Sequence, residues 1–210
     1  EKAQIPVAWT LLGIGAIDEE HPLAYGYMGM HGWKHVNRAI QSADLLIAIG
    51  MRFDDRVTGS VKTYAPYARI IHADIDPAEI GKNVAVEVPI VGDAKNVLAG
   101  LTKLVHAVDP ATRADYFAEL KAWREESESS SWHGSGGAES GVLTADYVVE
   151  RLGDLTDHVA TYVADVGQNQ MWLARYTKFR RPHSHISSGG LGTMGFAVPA
   201  AMGAALGNPD

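Results

Sequence analysis

The run Ser187-Ser188-Gly189-Gly190-Leu191-Gly192-Thr193-Met194-Gly195 is where this sequence first points to chemistry, because Gly190, Gly192 and Gly195 satisfy G-x-G-x-x-G. It follows a strand expected at 185–187 and precedes an apolar helix expected over 196–206. In that context backbone N–H groups at a helix start can face a diphosphate. The other reading is a tight strand-to-helix turn, in which glycine permits a positive φ. Spacing alone leaves the two level. A dinucleotide fold asks in addition for an acidic residue about 20 positions on, and the sequence ends before that position.

Tyr27-Met28-Gly29-Met30-His31-Gly32 sets two methionines and a histidine among glycines ahead of a helix. Such a run makes an adaptable apolar wall with close backbone approach, suited to a flat aromatic ligand; composition alone favours a core turn. Arg52-Phe53-Asp54-Asp55-Arg56-Val57-Thr58-Gly59 follows an apolar run closed by Gly50. Its arginines pair either with phosphates or with Asp54 and Asp55 as an ion-paired loop, the plainer reading. In an open α/β sheet, ligands bind at the carboxyl ends of strands. Asp74-Ile75-Asp76 and Gly92-Asp93-Ala94 occupy equivalent places, and three polar strand ends favour one extended ligand over three unrelated turns. Asp165-Val166-Gly167-Gln168-Asn169-Gln170-Met171-Trp172 is a fourth strand end that opens a helix. Gly167 there allows close approach, and Gln168 and Asn169 offer donors to an anion. Met171 and Trp172 serve either the core or an aromatic-lined pocket.

Other patterns are weaker. Gly13-Ile14-Gly15-Ala16-Ile17-Asp18 lacks the third glycine and reads as a loop. His21, His31 and His35 have no paired carboxylate at a metal-ligand spacing. There is no G-x-S-x-G and no Walker lysine motif, and no Glu or Asp stands out as a general acid or base.

The elements that must position these residues alternate. Strands are expected at 45–49, buried on both faces, and at 69–75, 86–91 and 159–166. Val97, Leu98, Leu101, Leu104, Val105 and Val108 share one helical face, with Asp93 as N-cap. Asp76-Pro77-Ala78-Glu79 reads as a helix start, and another helix begins near Thr144. The alternation predicts an α/β fold with parallel sheets. The Glu/Ser and Gly/Ser segment between 125 and 141 reads as a linker. The expected organisation is a domain over 1–126, a linker over 127–141 and an incomplete unit over 142–210. Among 210 residues the net charge is −7, and the one basic cluster, Arg180-Arg181 with Lys178, has too few charges to line a groove, so nucleic acid is an unsuitable partner. No cysteine is present, which excludes a disulfide scaffold and thiol catalysis. No run of 18 apolar residues predicts a membrane span. The start lacks Met, and both ends read as the middle of a longer protein.

Taken in order, these motifs resemble the acetolactate synthase large subunit family, the acetohydroxyacid synthase branch of the thiamine-diphosphate enzymes. Residues 27–32, 52–59, 74–83, 165–172 and 188–195 carry the resemblance, which runs from about Ile5 to Asp210. It implies a Rossmann-like central domain with a parallel sheet, followed by the incomplete start of a thiamine-diphosphate-binding α/β domain. It also implies condensation of pyruvate with pyruvate or 2-ketobutyrate, releasing CO2, on the route to branched-chain amino acids. The implied cofactors are thiamine diphosphate, FAD without net redox function, and Mg. The implied FAD contacts are Thr10, Leu11, Leu12, Met28, Gly29, Met30, His31, Gly50, Arg52, Arg56, Val57, Asp74, Ile75, Gly92, Asp93 and Ala94. Those to thiamine diphosphate are Val166, Gly167, Gln168, Asn169, Gly192 and Met194, with Met194 shaping the cofactor for catalysis. Tyr27, Asp54 and Arg56 would lie near the substrate channel. Asn169 stands where many members have His. The metal motif is expected beyond Asp210, and the activating Glu upstream, so no metal ligand is assigned here. The family further implies 2-keto acids as small-molecule partners, a homodimer or homotetramer, a regulatory small subunit in some members, and a cytoplasmic location. The alternatives are another thiamine-diphosphate carboligase or decarboxylase, and a non-catalytic FAD- or ADP-binding module.

Overall fold

A computed structural model describes residues 1–129 and 141–208. In chain order the elements are β1 (Val7–Trp9), β2 (Ala24–Tyr27), α1 (Lys34–Ser42), β3 (Leu45–Ile49), α2 (Asp55–Thr58), β4 (Arg69–Asp74), β5 (Val88–Val91), α3 (Ala94–Leu104), α4 (Ala114–Ser129), α5 (Ala145–Leu155), β6 (Tyr162–Ala164), α6 (Gln168–Tyr176), β7 (His185–Ser187) and α7 (Ala197–Gly207). They fall into two compact units. One comprises Glu1–Pro6 and Met28–Ser129; the other comprises Val7–Tyr27 and the described residues of Ser130–Asp210. Residues Val7–Tyr27 pack with the C-terminal residues and not with the rest of the N-terminal stretch.

In the first unit β3, β4 and β5 form a parallel sheet in that order. Leu45 pairs with Arg69 and Ile49 with Ala73, and Asp74 pairs with Val91 at the far end. Apolar residues give these strands their pleated, half-buried fit, and Gly50 at φ +62° ends β3. The core is built from Val36, Ile40, Phe53, His72, Ala73 and Leu120. Helix α4 packs on α1, where the Arg38 guanidinium lies 4.5 Å from the Trp123 ring centroid and 3.0 Å from Glu126.

Four expectations change here. Leu45 and Ile47 of β3 are exposed, as are Val88 and Val91 of β5, because no described element of this unit covers those side chains; β3 is not buried on both faces. For the same reason α3 has no buried residue, although Asp93 caps it as expected, accepting the Asn96 N–H at 3.1 Å. Residues 76–79 form a turn rather than a helix. Asp76 accepts the Ala78 N–H at 2.9 Å as an N-cap would, but Gly81 at φ +73° stops propagation after one turn. The Glu/Ser run begins as helix: α4 continues to Ser129, held by Lys34 and Arg38 on Glu126. The rest of the expected linker, 130–140, lies outside the described residues.

In the second unit β1 pairs with β2 and β6 with β7, both parallel. The strand expected over 159–166 is only Tyr162–Ala164. Trp9, Leu23, Tyr25, Leu173 and Phe179 form the core, and α5 packs on α6. Helix α7 is apolar on every side yet buries no residue. Met194 and then Val198, Met202 and Leu206 of α7, spaced four apart, make an exposed stripe. No described helix is long and apolar enough to cross a membrane.

Glu19 of this unit gives a pH-dependent prediction. Its N–H donates to the Phe179 carbonyl at 3.1 Å, while its Oε1 is buried without a hydrogen bond. Burial pushes the carboxyl up to about 8, opposed by the Phe179 backbone N–H acting on the carboxylate and by Lys178, and assisted by Asp18. The folded chain therefore holds a proton that the unfolded chain releases near its ordinary value. This contribution to stability is full in acid and lost as pH rises towards 8. Glu19→Gln should raise stability at pH 9 by about 1–3 kcal/mol and leave it nearly unchanged at pH 4. Thermal unfolding at the two pH values checks the difference.

Candidate cofactor site

Parallel pairing carries the chain out of β3, β4 and β5 at one sheet edge, so Gly50, Asp74 and Gly92 lie together there. Gly50 N–H donates to the Ala73 carbonyl at 2.8 Å and Gly92 N–H to the Asp74 carbonyl at 2.9 Å. The loop after β3 is anchored by Phe53, which is 2% exposed despite a left-handed φ of +53°. Its ring stands edge-on to Tyr64 and to His72, with centroids 6.0 and 5.0 Å away. Strain of this kind persists only where packing over-determines the backbone. Asn83 donates to the Arg52 carbonyl at 3.0 Å from the far side. Asp54 caps α2, accepting the Val57 N–H at 3.2 Å, and pairs with Arg52 at 3.1 Å; Arg56 pairs with Asp55 at 3.5 Å. Of the two readings of this loop, the ion-paired one is formed. Both guanidinium groups stay largely exposed, so they remain accessible to an anion.

The Met28–His31 stretch meets this loop through one glycine. Gly29 sits at φ +101°, and a Cβ there would lie 2.8 Å from the Arg56 carbonyl oxygen. The Met30 N–H donates to that same oxygen at 2.7 Å. The Asn37 carboxamide grips the Gly29 peptide, accepting its N–H at 2.9 Å and donating to its carbonyl at 2.8 Å. A cavity of about 260 Å³ opens beside this contact, with Met30, Asn37, Val57 and Tyr64 in its lining. Met28 is buried and Met30 exposed, so only Met30 of the expected methionine wall faces outward. Ile75 is exposed; Tyr27, in the other unit, is buried.

In the second unit the parallel β6–β7 pair brings residues 165–168 and 188–195 to one edge. A Cβ on Gly192 would lie 3.9 Å from Val166 Cγ1, so the two halves of the expected thiamine-diphosphate set are neighbours. Asp165 ties them. Its Oδ1 accepts the Val166 N–H at 2.8 Å and the Gly195 N–H at 3.0 Å, and its Oδ2 accepts the Ala197 N–H at 3.0 Å. Hydrogen bonds from Ala197, Val166 and Gly195 hold this carboxyl below the usual carboxylate range. The N-terminus of α7 is thus already capped by a carboxylate. Gly192 N–H donates to the Ser188 carbonyl at 2.9 Å and Thr193 N–H to Ser188 Oγ at 3.1 Å. The glycine-rich run is therefore a turn whose Gly192, Thr193 and Gly195 N–H groups are used internally, two by Ser188 and one by Asp165. Helix α6 is the opposite case: Gly167, at φ +114°, supplies no side-chain cap, and no acidic residue lies in its first turn. Gln168 and Asn169 are exposed at that open end.

Thr10, Leu11 and Leu12 lie in this second unit, apart from the unit that holds the other expected FAD contacts. Leu11 and Leu12 cover Gly189, where a Cβ would lie 3.0 and 2.9 Å from their Cδ2 atoms. Sequence reasoning missed Asn37, Phe53, Asn83 and the role of Asp165. Only Asp165, next to a Val-Gly strand end, carried a signal that pointed there. Among the described residues no group of three or more His, Asp and Glu is placed to hold a metal ion.

Residues 1–101 match the central domain of thiamine pyrophosphate enzymes, and residues 165–210 match their C-terminal, thiamine-pyrophosphate-binding domain. The chain belongs to the thiamine pyrophosphate enzymes. Within them it is similar over its full length to acetolactate synthases. It is 46% identical to the acetolactate synthase of Mycobacterium avium, covering 34% of that protein. It is 49% identical to the acetolactate synthase large subunit of Corynebacterium glutamicum, covering 33%, and 44% identical to a probable large subunit of Methanocaldococcus jannaschii, covering 36%. The chain thus spans about a third of the length of these curated relatives.

The Gly29 contact makes a direct prediction. Gly29→Ala places a methyl against a backbone oxygen in a strained conformation and should destabilise the chain by about 1–3 kcal/mol. Gly50→Ala also keeps a positive φ, but it has no atom within 4 Å of the new methyl and should cost less. Urea unfolding of the two variants side by side measures the difference.

Proposed function

We propose that this chain is a segment of an acetolactate synthase catalytic subunit. That enzyme condenses pyruvate with pyruvate or 2-ketobutyrate and releases CO2, a step towards branched-chain amino acids. The similarity to acetolactate synthases along the full chain, together with the uncapped start of α6 beside Val166 and Gly192, supports this reading. Thiamine diphosphate, when bound, supplies the electron sink for decarboxylation. The chain's own residues bind and orient it. Gly167 admits the backbone, and the first-turn N–H groups of α6 with the Gln168 and Asn169 side chains donate to the diphosphate. Val166 and Gly192 flank it, and Met194, 81% exposed, shapes it. These donors are neutral, so a divalent cation, Mg in our reading, balances the diphosphate charge. We assign none of the described residues to that ion.

FAD belongs, in this reading, to the first unit. Gly29, Met30 and His31 face its flat ring system, and Arg52, Arg56 and Val57 flank them. Gly50, Asp74, Ile75, Gly92, Asp93 and Ala94 form the strand-end edge for its adenosine half, as ligands of open parallel sheets lie. Met28 supports that surface from the core. The exposed guanidinium groups of Arg52 and Arg56 and the open space at Gly50 support this reading. We further infer a cytoplasmic homodimer or homotetramer, with a regulatory small subunit as its protein partner.

Two measurements test the reading. The full-length protein with pyruvate, thiamine diphosphate, Mg and FAD should form acetolactate in an acetoin colour assay, and the 210-residue chain alone should not. Acetolactate from the short chain, scaling with its concentration and lost on Met194→Ala, would mean that the catalytic groups are misassigned. In the full-length protein, Arg56→Ala should weaken FAD binding by about 1–3 kcal/mol in a flavin fluorescence titration. Unchanged affinity would remove Arg56 from the site.

A further inference from the structure

We propose that Asp165 is the positioning residue that sets the two halves of the thiamine-diphosphate site, 166–169 and 192–194, against each other. The inference rests on the cofactor reading above.

The register of β6 and β7 fixes the chain only as far as Ala164 and Ser187. Beyond that pair the two segments leave the sheet, and ladder hydrogen bonds no longer hold them. Asp165 is the first residue past β6, and its carboxylate reaches 30 and 32 residues along the chain to Gly195 and Ala197. One oxygen holds both sides at once, because Oδ1 accepts from Val166 and from Gly195. Oδ2 takes the first N–H of α7. A negative charge there also meets the positive end of the helix dipole.

Two consequences follow for the cofactor. Met194 lies between Thr193, whose N–H is held by Ser188 Oγ, and Gly195, whose N–H is held by Asp165. The side chain assigned to shaping the cofactor is therefore presented from a turn pinned on both flanks. The second consequence is electrostatic. With α7 capped by a carboxylate, a diphosphate is repelled from that helix end and left to the open end of α6. Asp165 touches neither half of the cofactor in this account; it acts through the turn it holds.

The test uses the full-length protein, with amide hydrogen exchange read without cofactor, thiamine-diphosphate affinity by titration, and turnover. In Asp165→Ala, protection at Gly195 and Ala197 should fall about tenfold or more, kcat should fall about tenfold or more, and cofactor affinity should stay within about threefold. Asp165→Asn keeps one acceptor oxygen and should fall between wild type and Asp165→Ala in both protection and kcat. Should Asp165→Ala fail to fold, Asp165→Asn and Asp165→Glu carry the test. The glutamate keeps the charge on a longer arm and should lower kcat while the near-UV circular dichroism of the bound cofactor changes. Cofactor binding with unchanged kcat in every folded variant overturns the role of Asp165 alone. A wild-type protein that binds no thiamine diphosphate overturns the cofactor reading, and this role with it.

Discussion

Parallel strand pairing is the constraint on which the rest of the structure depends. An antiparallel pair would send alternate loops to opposite ends of a sheet. The parallel order β3-β4-β5 instead delivers three loops to one edge, and the β6–β7 pair delivers two. Every residue assigned to a cofactor in the first unit, apart from the Met28–His31 stretch, leaves the sheet at that shared edge. The exception is brought in by a different device: bare glycine backbone at Gly29, pressed on the Arg56 carbonyl and clamped by Asn37. The sheet places the strand ends, and one amide side chain adds the remaining loop.

The second unit solves a related problem with charge. Two helices begin at its strand ends, and each exposes unsatisfied N–H groups in its first turn. At α7 the first of them, the Ala197 N–H, is satisfied within the protein by Asp165. The set at α6 follows a glycine with no side chain to cap it. A pair of identical helix ends would bind an anion at either place. Satisfying one end internally makes the two ends different and gives the site a direction.

How much of this the sequence revealed depends on whether the signal was local. The run Leu45–Ile49, the Asp93 cap and the strand ahead of the glycine-rich turn are encoded in consecutive residues, and each formed where expected. The α4 extension was hidden because its Glu/Ser composition is that of a linker; packing on α1, some ninety residues away, with Leu120 and Ser127 buried, carries the helix through it. Asn37 was illegible for the same reason, since its partner is defined by a turn and not by a pattern. Phe53 read as an ordinary aromatic residue in a charged loop, and only packing reveals its left-handed backbone. The glycine-rich run was visible, but its role was not. The same spacing fits a phosphate loop and a tight turn, and the side chain that separates them is thirty residues upstream.

The exposed apolar surface of α3, β3, β5 and α7 belongs with the share of the relatives that this chain covers. Helix α7 is apolar all round, a composition found where helices are enclosed. The relatives are about three times longer than this chain.

The most direct test of the account is a crystal structure of the full-length protein with thiamine diphosphate and FAD bound. The account predicts the diphosphate at the first turn of α6, against Gly167, Gln168 and Asn169, with Asp165 still accepting from Gly195 and Ala197. A diphosphate at the start of α7, with the Asp165 carboxylate displaced from those two N–H groups, would contradict it.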